Sequence, residues 1–421
     1  MAIADSAPVT TQPVFSAGVV RISRDGFTHG LLWTMLLLLY LLSGVLTIAS
    51  GYLYRMGLMS FLVLPLLLVR GLRIDRTFLA FTLLVGAVLA SGVVSDSTLT
   101  QIVTFLRIPI FAYLVYYLTS VAVNADNIRR ILRFLLIVAT VQLPTMLLQW
   151  WAFDKVPESF KQNVGIVDYG FGTFNYMTDY SMSFLLTLLV AWLLLDPRRS
   201  GWVRFRLPLA IWYSLTVVVA AAQIMKIGVI LIWLIYIVTH LRLRTLLLAG
   251  VAMVPLYFGA DAMYKAGLLS EDPAQFINRI QWEQRGVSTE NYLVGRYDRF
   301  GALQFLVFSG NTPLLGDGPS AYTDAVTRET TRGNTGHFFI FFSEVGPVGW
   351  LASVLVYAAI AFPIRRGRLR IGLLPVLYFV LINMLSFTSA VMNDIAVVTS
   401  FCIMIKLVSM PFFELKTSKT P

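Results

Sequence analysis

Along this chain, long apolar runs alternate with short polar connections. The runs fall at roughly 31–53, 56–72, 78–94, 102–123, 131–153, 174–195, 207–223, 227–241, 245–263, 337–363, 371–391 and 395–413. Most are close to the ~20 residues that cross ~30 Å of hydrocarbon as a helix. The pattern predicts an all-α polytopic membrane protein with about twelve transmembrane helices. It divides the chain into a polar N-terminal tail over 1–30, helices one to nine over 31–263, and a long loop over 264–336. Helices ten to twelve follow over 337–413, and a short tail over 414–421. The first apolar run is long enough to span, so no cleaved leader is expected.

Composition agrees. The chain of 421 residues is 57% hydrophobic and only 13% charged, where soluble domains average about 25% charged. Cys402 is the only cysteine, so it forms no intramolecular disulfide. In its apolar run it reads as a small buried hydrophobe.

The net charge of +11 could suggest nucleic acid, but its placement argues otherwise. Basic residues crowd alternate connections: Arg21 and Arg24; Arg70, Arg73 and Arg76; Arg129, Arg130 and Arg133; Arg198, Arg199, Arg204 and Arg206; Arg242 and Arg244; Arg365, Arg366, Arg368 and Arg370; Lys416 and Lys419. The short intervening loops hold only Arg55, Lys155, Lys161 and Lys226. That alternation follows the positive-inside rule and places both termini in the cytoplasm. No nucleic-acid partner is expected.

The loop over 264–336 mixes Trp282, Tyr292, Tyr297 and Phe300 with Arg279, Arg285, Arg296 and Arg299. That composition suits short amphipathic helices at the membrane face. Its arginines depart from the charge rule and lend that face an anion-binding tendency, since an arginine fork matches phosphate oxygens. Polar residues inside apolar runs carry a second signal, because each is costly in hydrocarbon. Arg107, beside Pro109, needs a partner or a wet cavity. Gln142, Asp179, Lys226, Glu344, Asn383, Asn393, Asp394 and Lys406 complete this set. Lys406, near an inner end, reads as a snorkelling cation. Of the three histidines, His29 and His240 read as interfacial, while His337 stands where the long loop meets the membrane. Imidazole is the side chain best suited to proton exchange near neutral pH.

The order "GRYDRFGALQFLVFSGNTPLLGDGPSAY" (295–322), then "GHFFIFFSEVGPVGW" (336–350), resembles the core of the O-antigen ligase and O-antigen polymerase superfamily. The resemblance places the family's loop arginine on Arg296. It places the Pro-Leu-Leu-Gly-x-Gly turn on 313–318, including Gly316 and Gly318. The histidine at the mouth of a span falls on His337, and the Glu-x-Gly-x-x-Gly motif on Glu344, Gly346 and Gly349. Upstream, "YGFGTFNYMTDYSM" (169–182) and "AAQIMKIGVIL" (221–231) resemble two further family segments. The sequence departs from the pattern at Phe338, where the family often has Asn; at Met225-Lys226, where it has Ser-Arg; and at Phe300, where Trp is usual.

The resemblance implies a fold like that of GT-C glycosyltransferases in the bacterial inner membrane, with the active site facing the periplasm. It implies transfer of a glycan from undecaprenyl diphosphate to an acceptor sugar hydroxyl. The substrates would be an undecaprenyl-diphosphate-linked oligosaccharide and an acceptor glycolipid, without cofactor or metal. His337 would orient or deprotonate the acceptor hydroxyl at the membrane lip. Arg296 would act with it, and Lys226, Arg299 and Arg107 would hold the diphosphate. Glu344, Gly316, Gly318, Gly346 and Gly349 would support the site, the glycines by allowing close helix approach. Two activities fit: polymerase, with a carrier-linked repeat as acceptor, and ligase, with lipid A-core as acceptor. A lipid-linked glycan transporter is the rival class, although no internal repeat is visible.

Overall fold

The computed structural model describes residues 23–44, 65–152, 155, 171–174, 179–220, 222–240, 314–319, 337–365, 368–369 and 372–410. The described architecture is helical. In chain order the helices are α1 (Arg24–Tyr40), α2 (Arg76–Val94), α3 (Leu99–Ala122), α4 (Ile128–Ala152), α5 (Asp179–Leu195), α6 (Pro197–Ser200), α7 (Arg206–Val219), α8 (Gln223–His240), α9 (His337–Glu344), α10 (Gly346–Ala361), α11 (Leu373–Ser386) and α12 (Ile395–Ser409). A two-residue strand pair, Ile364–Arg365 with Arg368–Leu369, makes a small hairpin after α10. Helix is the expected outcome for such apolar runs, because hydrocarbon offers no partner for a bare peptide group.

Local chemistry fixes where several helices begin. Asp75 accepts from the Phe78 N–H at 2.9 Å. Thr98 and Gln101 form a capping box at α3, and Asp394 accepts from the Ala396 and Val397 N–H groups at 2.9 and 3.2 Å. Each cap satisfies amide donors that the first turn leaves bare.

Helix α5 is buried along nearly its whole length and packs against α4, α7, α8, α11 and α12. A helix apolar on every side belongs at the centre of a bundle. Among the described helices, Arg76–Val94, Leu99–Ala122 and the Ile128–Gln149 portion of α4 are long and apolar enough to cross a membrane. The shorter apolar helices α5, α7, α8, α10, α11 and α12 overlap predicted runs.

The arginines gather at one end. Arg70 pairs with Asp25, the Arg76 guanidinium donates to the Phe362 carbonyl at 3.2 Å, and Arg199 bridges Asp196 at 2.7 Å and the Met410 carbonyl at 3.1 Å. Lys406 donates to the Ser120 carbonyl at 2.9 Å, so its ammonium reaches a backbone partner at that same end.

Two expectations change. The connection expected at 224–226, between runs 207–223 and 227–241, falls earlier, between Val219 and Gln223, where α7 gives way to α8. Lys226 therefore lies within the first turn of α8 and not in a linker. The run 337–363 is two helices, not one. The loop 264–336, apart from 314–319, lies outside the described residues, as do Arg296 and Arg299.

Candidate functional site

Glycine and aromatic rings locate the break in the tenth run. In a straight helix Phe338 and Trp350 would stand roughly 18 Å apart along the axis. Their ring centroids lie 5.5 Å apart, and His337 lies 5.8 Å from Tyr357. The chain therefore reverses at Val345–Gly346, and α9 folds back along α10. Gly346 adopts φ +75°, a left-handed conformation that costs most other residues strain.

The turn Leu314–Pro319 docks on this reversal. The Asp317 N–H donates to the Ser343 carbonyl at 2.8 Å, and the Gly318 N–H to the Glu344 carbonyl at 3.0 Å. Glycine is required on both sides. A Cβ on Gly316 would stand 2.5 Å from the Gly346 nitrogen, and one on Gly346 would stand 2.3 Å from the Leu314 oxygen. Backbone meets backbone here, so neither side can yield by rotating a side chain. From α2, the Ser91 hydroxyl donates to the Glu344 carbonyl at 2.6 Å. A Cβ on Gly318, itself at φ +103°, would meet the Ser95 hydroxyl at 2.1 Å. The described parts of the two stretches that carried the family resemblance, 314–319 and 337–350, thus form one unit with the end of α2. At Gly349 an added Cβ would first meet the Val345 side chain, at 2.3 Å, one turn earlier in the chain.

His337 opens α9, and its backbone N–H donates to the Ser389 carbonyl at 3.0 Å. Its ring lies 4.1 Å from that of Phe341. The residue is 3% exposed, and its Nε2 has no hydrogen-bond partner among the described residues. The expected position at an open lip is corrected by this burial. Because α9 runs back along α10, the imidazole is enclosed between the two helices. The reason is the reversal: Tyr357 follows Gly346 by roughly 16 Å of helix, and Thr77, whose hydroxyl lies 3.5 Å from the Ala359 carbonyl, stands at the arginine-rich end of α2. His337 is therefore recessed from the glycine turn, whose level Ser91 marks.

The remaining predicted groups are spread around this hairpin. Glu344 is fully buried at its tip. Arg107 is half-buried on α3, two residues beyond Phe105, whose ring lies 5.1 Å from Phe341. Lys226 is half-buried on α8, and α8 touches α11 where a Cβ on Gly228 would meet Leu381 at 2.7 Å. Arg107 stands two positions from that contact, a spacing that turns it to another face of α3, and Lys226 lies on α8, which packs on α11.

Other polar residues, some already marked by their place in apolar runs, tie the surrounding helices together. Gln142 accepts from the Thr173 N–H at 2.9 Å and donates to its hydroxyl at 2.8 Å. Gln149 accepts from the Gly172 N–H at 2.9 Å and donates to its carbonyl at 2.7 Å. Two amides one α4 face apart thereby clamp the Phe171–Phe174 turn, and Thr173 also ties it to the Tyr40 carbonyl at 2.5 Å. Gln142 stood out as a stranded polar residue; Gln149, near the end of its run, did not. Asp394 accepts from the Ser181 hydroxyl at 2.5 Å as well as capping α12. Tyr357 and Ser91 sit in apolar runs that give no hint of their placement. No family model, curated protein or solved structure matches this chain.

Proposed function

We propose that this chain is a membrane glycosyltransferase. In this reading it moves a glycan from undecaprenyl diphosphate to an acceptor sugar hydroxyl at the extracytoplasmic side of the bacterial inner membrane, as a polysaccharide polymerase. One observation supports the reading most: the Gly316-Asp317-Gly318 turn and the Glu344-Val345-Gly346 reversal dock together, on the helix pair that holds a buried imidazole with a bare nitrogen. A buried polar atom without a partner costs about 1–3 kcal/mol. Folds tolerate that cost most readily where a ligand supplies the missing bond.

In the reaction the acceptor oxygen bonds to the anomeric carbon, and the bond from that carbon to the diphosphate oxygen breaks. The hydroxyl proton passes to the His337 imidazole, and undecaprenyl diphosphate leaves with the bonding electrons. Cations are needed where charge grows on the leaving group. Arg107 and Lys226 are the candidates among the described residues, and Arg296 and Arg299 the candidates outside them. The twelve-span topology and the GT-C-like fold belong to the same proposal, as does the placement of the arginine-rich end in the cytoplasm. Because His337 is enclosed, the acceptor must part α9 from α10 to reach it.

The test uses full-length protein in proteoliposomes with a carrier-linked repeat unit. Chains should lengthen without an energy source, and His337→Ala should stop lengthening while the protein stays folded and inserted. Product at the wild-type level from that variant would show the imidazole to be structural. Transfer only to lipid A-core would make the activity that of a ligase. A broken hairpin is also an element that transporters place at substrate sites. A lipid-linked glycan transporter is therefore the second reading, and translocation without lengthening would establish it.

A further inference from the structure

Two rings that meet across the α9–α10 hairpin each carry a buried polar atom without a hydrogen-bond partner among the described residues. These atoms are the His337 Nε2 and the Tyr357 hydroxyl. Tyr357 is 2% exposed and His337 3%, and their ring centroids are 5.8 Å apart. Both rings are held from behind. Phe341 lies 4.1 Å from the imidazole, and Phe401 meets the phenol edge-on at 6.3 Å. The backbone of His337 is pinned to Ser389. The groups are complementary, since a neutral imidazole nitrogen accepts and a phenol donates, yet they do not bond to each other. A third group that both donates and accepts would satisfy both.

We propose that His337 and Tyr357 together form a binding subsite for a single hydroxyl group. This rests on the glycosyl-transfer reading for the hydroxyl's identity, which is that of the acceptor sugar. The hydroxyl donates its proton to the His337 Nε2 and accepts a bond from the Tyr357 O–H. As the oxygen bonds to the anomeric carbon and the diphosphate departs, the proton moves fully to His337. The Tyr357 O–H keeps its proton and stays on the oxygen, which becomes glycosidic. Without glycan, one water takes the place of the hydroxyl. Tyr357 thereby fixes which lone pair of the acceptor points at the reacting carbon, a positional effect that influences turnover more than affinity.

The test compares the full-length protein with Tyr357→Phe in nanodiscs, labelled with nitrogen-15 at histidine. The His337 signal is assigned by its loss in His337→Ala. Water is the probe in the resting protein. Tyr357→Phe should move the His337 Nε2 resonance towards the value of an unbonded imidazole. It should also lower kcat for chain lengthening by roughly a hundredfold with KM little changed. The unfolding midpoint should change little, because the hydroxyl removed bonds only a water and has no partner among the described residues. An unmoved resonance overturns the subsite, and so does wild-type lengthening by Tyr357→Phe. If the wild-type protein itself lengthens no glycan, the functional reading fails, while the resonance comparison still decides the subsite.

Discussion

Gly346→Ala is the sharpest perturbation of this structure. The added carbon would stand 2.3 Å from the Leu314 oxygen and 2.5 Å from the Gly316 nitrogen. Both are backbone atoms of the docked turn, so the turn must lift. Lifting it breaks the bonds from Asp317 to Ser343 and from Gly318 to Glu344, each a net loss of about 1 kcal/mol. Holding alanine at φ +75° adds about 1–2 kcal/mol. The sum is roughly 3–4 kcal/mol of destabilisation. Equilibrium unfolding of the full-length protein in mixed micelles measures it. Gly86→Ala is the control, because a Cβ there meets nothing within 4 Å, and it should be neutral or slightly stabilising. Gly316→Ala should resemble Gly346→Ala, and the double variant should cost less than the two singles together, since the same contact is lost once. Gly346→Ala unfolding with the control, or additive costs in the double variant, would refute the docked reversal.

Three further outcomes are expected. Gln142→Leu leaves the half-buried Thr173 N–H without its acceptor and should destabilise by about 1–2 kcal/mol; limited proteolysis and unfolding would show whether the Phe171–Phe174 turn is released. Asp394→Ala removes the α12 cap and the Ser181 partner and should cost about 1–2 kcal/mol, measured in the same unfolding assay. In a Cys402→Ala background, a membrane-impermeant thiol reagent should label Leu99→Cys in intact spheroplasts and Leu72→Cys only after lysis. Both positions are exposed, at 76% and 56%, and the opposite pattern would invert the proposed topology.

Several features were legible from the chain alone because they follow from local physics. Hydropathy sets which residues leave water, so the runs beginning near 78, 102, 131, 207 and 395 reappear as α2, α3, α4, α7 and α12. Charges act within a turn or two, so the arginines of 70–76 and 198–206 mark helix ends, while the caps at Asp75 and Thr98 emerged only in the structure. The family-like glycines were visible as candidates, but their contact was not. Gly316 and Gly346 are thirty positions apart, and neither shows in sequence what its missing Cβ makes room for.

The sequence by itself determined that this chain is apolar, helical and bounded by arginines, since each of those depends on residues a few positions apart. Only the tertiary structure decided that the tenth run doubles back. A straight helix and a folded hairpin bury the same phenylalanines, and the choice falls to the distant Leu314–Pro319 turn, which occupies the space at Glu344–Gly346. The same reversal moved His337 from the expected lip to the side of Tyr357. Burial of a side chain is set by what the rest of the chain brings to it.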